Sequence, residues 1–124
     1  LAGAFATAAF DTVSSEVGKA YGRRTYLITT LRSVPRGTDG AVSLEGTVSG
    51  MAAALLLAGL GAALGLYPAA GIVAVVVAAF LATTLESVVG ATLEKRGLLD
   101  NEAVNFLNSL AGALLAAAGG ALLL

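Results

Sequence analysis

Between Glu45 and Glu86 the chain carries no charged residue, and none follows Glu102 before the C-terminus at Leu124. A helix rises about 1.5 Å per residue and crosses a ~30 Å hydrocarbon core in about 20 residues, so the first run holds two spans and the second holds one. The first run breaks at Tyr67-Pro68, because proline lacks the amide donor and disfavours helical backbone in the residue before it. The pattern predicts helices over about Thr47 to Leu66, Ala70 to Leu93 and Ala103 to Leu124, with Asp100 or Asn101 as N-cap of the last. A further helix is expected from Leu1 to about Ala20. Its upper half is apolar, whereas its lower half carries Asp11, Ser14, Ser15 and Glu16.

Composition moves this pattern from a soluble core to a membrane. Of 124 residues 57% are hydrophobic and 16 are glycine, with a mean hydropathy of +0.89. The fold class expected is all-α: a polytopic bundle of about four transmembrane helices forming a single domain over residues 1–124 in a lipid bilayer. Gly61-x-x-x-Gly65 and Gly119-Gly120 read as small-residue surfaces for close helix packing. The chain opens at Leu1 inside an apolar run, without an initiator Met, basic flank or cleavage site, which reads as the C-terminal part of a longer protein; a mature N-terminus is the alternative.

Net charge is −1, which favours no nucleic-acid partner, so the positions of the basic residues matter more than their number. Lys19, Arg23, Arg24, Arg32 and Arg36 precede the second helix, and Lys95 and Arg96 follow the third. The positive-inside rule places both basic loops on the cytoplasmic or equivalent side of a multi-pass protein. Cysteine and histidine are absent, which excludes disulfides, thiolate nucleophiles and the most common general base.

Shifting the chain by 75 residues lays Ala4–Val13 on Ala79–Val88, pairing Phe5 with Phe80, Asp11 with Glu86, Thr12 with Ser87 and Val13 with Val88. This predicts a two-helix internal repeat whose copies run in parallel. Asp11 and Glu86 would then share a depth. A carboxylate within a span costs about 2.5–3.5 kcal/mol on insertion scales, so both need an interior or watery setting. Asp11, Ser14, Ser15 and Gly18 fall on one helical face, while Glu16 lies about 140° from Asp11.

Two carboxylates with nearby hydroxyls suit Mg²⁺, which commonly joins one or two protein carboxylates to substrate phosphates. In the loop, Arg32 and Arg36 offer charge for phosphate, and Gly37, Thr38, Gly40 and Ser43 offer backbone amides and hydroxyls. "PRGTDG" also reads as a plain turn, and spacing alone favours the turn. Asn101, Asn105 and Asn108 form one stripe of the last helix, either as glue between helices or as the wall of a polar cavity.

Four stretches in order, "DTVSSEVG" at Asp11–Gly18, "PRGTDGAVS" at Pro35–Ser43, "LESVVGATLE" at Leu85–Glu94 and "LLDNEAVNFLN" at Leu98–Asn108, resemble the integral-membrane family of the phytyl-phosphate kinase of vitamin E salvage and its uncharacterised transmembrane homologues. Asp39 and Ala41 stand where Asn and Gly are common in that family, and Glu86 where Asp is frequent. The resemblance implies a kinase that transfers phosphate from a nucleoside triphosphate to an isoprenyl or phytyl monophosphate, with Mg²⁺. On that reading Asp11 and Glu86 are catalytic and hold the metal, while Arg32, Arg36, Gly37, Thr38, Gly40 and Ser43 bind nucleotide phosphates. Ser15, Glu16, Ser87, Asn105 and Asn108 position the lipid phosphate. An ion-coupled carrier and a non-catalytic scaffold, in which the acids merely pair with arginines, are the alternatives from the residues alone.

Overall fold

The computed structural model describes residues 1–123 and is an all-α bundle, as the hydropathy pattern predicts. Its helices are α1 (Ala2–Tyr21), α2 (Leu44–Ala63), α3 (Gly71–Val89) and α4 (Asn101–Leu123). A π-helical turn, Gly90–Glu94, continues α3. The segments Leu44–Ala63, Gly71–Glu94 and Asn101–Leu123 are long and apolar enough to cross a membrane. Although α1 has 20 residues, the acids, serines and Lys19 of its second half keep it out of that set. The expected end of the last helix at Leu124 lies outside the described residues.

Two boundaries move for physical reasons. The second helix starts three residues earlier than Thr47 because Ser43 caps it, its hydroxyl oxygen accepting from the Gly46 amide at 3.1 Å. That helix ends at Ala63, before Gly65 takes up a left-handed φ of 75°. Gly65 therefore belongs to a turn, and only Gly61 of the expected pair packs, against the Tyr67 ring. The Tyr67 hydroxyl donates to the Ala58 carbonyl at 2.8 Å. Burial pushes its phenol up from the usual value, so it stays a neutral donor. Asp100 caps α4 as expected, accepting from the Ala103 amide at 2.7 Å.

A small antiparallel ladder, β1 (Thr25–Leu27) with β2 (Ala41–Ser43), joins α1 to α2 and pairs Thr25 with Ser43. Hydropathy did not predict it. Three-residue strands are too short for an alternating pattern to show.

Small side chains let the helices approach closely. Gly46, Gly50, Ala54, Ala58 and Gly61 form the buried face of α2. A Cβ at Gly46 would stand 2.5 Å from the Ser14 carbonyl oxygen, and one at Gly50 would stand 2.8 Å from Phe10. On the other side of α1, Gly112 of α4 meets Thr7. Gly119 lies against Ala74, so this glycine does serve the α3–α4 contact. The core cluster is Ala6, Phe10, Ala54, Ala58, Val75 and Ala79. Dispersion between closely spaced backbones, rather than large apolar side chains, holds such a membrane bundle together.

Candidate functional site

The C-terminal half of α1, the start of α2, the end of α3 and the start of α4 converge on one end of the bundle and enclose a polar cavity of about 210 Å³. Phe10 and Phe80 line its inner end, their rings meeting edge to face with centroids 6.1 Å apart. Asp11 and Glu86 stand beside these rings on α1 and α3 and face the same cavity as neighbours. The two acids paired by the 75-residue shift therefore share one cavity. Neighbouring carboxylates repel each other, and a cation between them relieves that repulsion. Among the described residues neither forms an ion pair with an arginine; Lys19–Glu16, at 3.3 Å and exposed, is the ion pair found.

The loop before α2 closes over this site. Gly37 and Gly40 adopt φ values of 83° and 76°, and both line the cavity with Thr38 and Asp39. Thr38 holds the turn by donating to the Pro35 carbonyl at 2.7 Å. A Cβ on Gly40 would stand 2.5 Å from the Ser87 carbonyl oxygen and 2.6 Å from the Ala91 amide nitrogen. The loop thus rests directly on the end of α3. Gly40→Ala is expected to cost more than 1 kcal/mol through both backbone strain and collision, and to lift the loop from α3. Faster proteolytic cleavage between Pro35 and Ala41 would report this; unchanged cleavage would refute it.

The sequence-derived residues divide cleanly. Asp11, Ser15, Gly37, Thr38, Gly40, Ser43, Glu86 and Ser87 line the cavity. Ser43 does so while capping α2, and the Ser87 hydroxyl donates to the Thr83 carbonyl at 3.1 Å. Arg32, Arg36, Glu16, Asn105 and Asn108 do not line it. Arg36 instead caps α1, its guanidinium donating to the carbonyls of Ala20 at 3.1 Å and Lys19 at 3.4 Å. Arg32 and Asn105 are exposed, and Glu16 is occupied by Lys19. Asn108 is buried on the α3–α4 side, so the three asparagines do not act as one stripe.

Lys19, Thr25, Asp39, Thr83, Thr84 and Glu94 also line the cavity and are not among the expected site residues. A signal existed for two. Lys19 continues the Asp11–Ser15 face by one more turn, and the 75-residue shift that pairs Asp11 with Glu86 also pairs Lys19 with Glu94. Lys19 is the basic side chain that lines the cavity.

The donors fit a hard cation. Two carboxyls share the cavity, hydroxyls surround them, and the buried Oγ1 atoms of Thr25 and Thr83, both in the cavity wall, have no hydrogen-bond partner. Among the described residues no three acids, histidines or cysteines gather into a self-sufficient metal cage. A pair of carboxyls is the usual protein contribution where substrate phosphates and water complete the shell of Mg²⁺.

Residues 1–113 match the family described as integral membrane protein DUF92. The chain is 57% identical over 113 residues to an uncharacterised membrane protein of Synechocystis sp., covering 90% of this chain and 44% of that protein. It is 46% identical over 115 residues to the chloroplastic protein VTE6 of Arabidopsis thaliana, covering 90% and 34%. It is 37% identical over 114 residues to an uncharacterised membrane protein of Methanocaldococcus jannaschii, covering 89% and 46%. The chain spans less than half the length of each of these curated relatives. No solved structure matches it. The chain belongs to this integral-membrane family.

Proposed function

With membership of the DUF92 integral-membrane family as the premise, we propose that this segment forms the phosphate-handling site of a lipid-phosphate kinase, which moves the γ-phosphoryl group of a nucleoside triphosphate onto an isoprenyl or phytyl monophosphate. The resemblance of its four sequence stretches to the family of the phytyl-phosphate kinase, together with the likeness to the chloroplastic protein VTE6, supports the substrate class. The observation that carries the reading is that Asp11 and Glu86 share a cavity walled by hydroxyls and by a loop with two left-handed glycines. Residues 1–124 act as one transmembrane domain of the intact protein, with the cavity and the basic loops on the cytoplasmic or equivalent side.

Asp11 and Glu86 would hold Mg²⁺, which when bound neutralises phosphate charge. The protein's own contribution is placement. The α2 N-terminus directs its positive dipole end toward the cavity through Gly46 and Thr47. The Gly37–Gly40 backbone and the Thr25 and Thr83 hydroxyls offer contacts to phosphate oxygens, while the aromatic floor keeps water from the far side. Phosphoryl transfer needs positioning and charge stabilisation more than covalent chemistry, so a site without histidine suffices. A monophosphate acceptor supplies its own nucleophilic oxygen, and the leaving group is the nucleoside diphosphate.

The intact protein that carries this segment, in membranes supplied with γ-labelled ATP or CTP, should label phytyl, geranylgeranyl or farnesyl monophosphate. Properly inserted protein that labels none of them refutes the kinase reading. Lys19, rather than Arg32 or Arg36, is the cation offered to the phosphates in the cavity. Lys19→Ala should raise KM about ten- to a hundredfold, the worth of one charge-assisted hydrogen bond. Arg32→Ala should leave KM within about twofold on the same energetic scale for an exposed charge; the reverse order would move the phosphate into the outer loop.

A further inference from the structure

An apolar groove of about 310 Å³ runs between α3 and α4, walled by Leu85 and Val89 on one side and Leu107, Ala111 and Leu114 on the other. Along α4 it extends from Val104 to Leu114, about 15 Å at 1.5 Å per residue. Two features distinguish it from the ordinary lipid-facing surface of a helix pair. Glu86 lines both the groove and the polar cavity, so the two spaces share a wall at the carboxyl pair. Asn108, only 4% exposed, also lines the groove, and its side-chain oxygen has no hydrogen-bond partner.

We propose that this groove is the binding site for the hydrocarbon chain of a lipid monophosphate whose head reaches the polar cavity past Glu86. The proposal rests on the lipid-phosphate reading above and adds the place and direction of the chain. Glu86, common to both spaces, marks the point where a chain lying in the groove would join a head lying in the cavity. The volume stands at the lower end of the ~300–1,000 Å³ usual for ligand sites, which suits one chain rather than two. The groove lies along the helix axes, so a chain in it stays within the hydrocarbon layer while its head lies at the end of the bundle where the cavity lies.

The test uses the intact protein in nanodiscs without nucleotide, and a phytyl monophosphate bearing a diazirine on its chain. Photolysis followed by peptide mapping should place the label on Leu85, Leu107, Ala111 or Leu114. An excess of unlabelled geranylgeranyl monophosphate should reduce it at least tenfold, and an equal amount of phytane, which lacks the head, should not. Ala111→Phe, which fills the groove, should also reduce it at least tenfold, while Leu56→Phe on the outer surface of α2 should not. Label spread equally over outward residues of α2 such as Leu56 and Leu60, or label displaced equally by phytane, overturns the proposal. Competition in the wild-type protein decides the matter even if Ala111→Phe does not fold. Groove labelling without phosphate transfer would refute the kinase reading and leave the lipid site standing; transfer with label elsewhere would do the opposite.

Discussion

Asp11→Asn or Glu86→Gln in the intact protein should lower phosphate transfer about 10²–10³-fold, the range seen when one preorganised electrostatic contact to a transition state is removed. The two carboxyls share one cavity and would act on the same cation and phosphates, so the double variant should be little worse than either single one. Stability should respond in the other direction. Each substitution keeps the side-chain shape and removes one of two neighbouring like charges, so thermal stability should be equal or higher. The measurement is initial transfer rate beside the unfolding midpoint in the same membranes. A purely structural pair would show the converse: a lowered midpoint with the rate per folded molecule intact.

Gly50→Val should strongly destabilise the bundle. A single Cβ there would already stand 2.8 Å from the Phe10 ring and from its carbonyl oxygen, and valine adds two more carbons. Overpacking of this kind costs about 1–3 kcal/mol where neighbours can yield; here one neighbour is backbone, so α1 itself must shift. Phe10 forms the cavity floor and Asp11 follows it, so transfer should fall together with the unfolding midpoint. Gly59→Ala is the matched control on the same helix. No atom lies within 4 Å of its Cβ position, and it should leave the midpoint unchanged or raise it through a stability gain of up to ~1 kcal/mol from helix propensity. Equal effects at positions 50 and 59 would show that close α1–α2 approach is not what holds the fold.

The long uncharged runs made three helices legible, and the paired acids at Asp11 and Glu86 pointed to their own meeting place. What remained hidden depends on the third dimension. Arg36 looked like a phosphate ligand because a loop guanidinium beside glycines suits one; its claim by the Ala20 carbonyl required knowing where α1 ends relative to the loop. Asn105 and Asn108 share a nominal helical stripe, yet α3 covers only the latter. The π-helical turn escaped because one residue of extra winding leaves no compositional mark, although it lies in the segment that carries Glu94 to the cavity. The internal repeat is likewise legible only in part. Its acids converge, but the first copy leads into a long loop with a β ladder and the second into the short link before α4.

The Phe10–Phe80 contact has a further consequence. Among the described residues, Phe10 packs into a cluster with Ala6, Ala54, Ala58, Val75 and Ala79, which closes this end with apolar side chains. The cavity is therefore a cul-de-sac. Among the described residues, a hydrophilic solute that enters among the loop residues meets the edge-to-face aromatic pair and, behind it, a core of small apolar side chains. On the kinase reading, such a dead end would return a nucleotide to the side from which it entered.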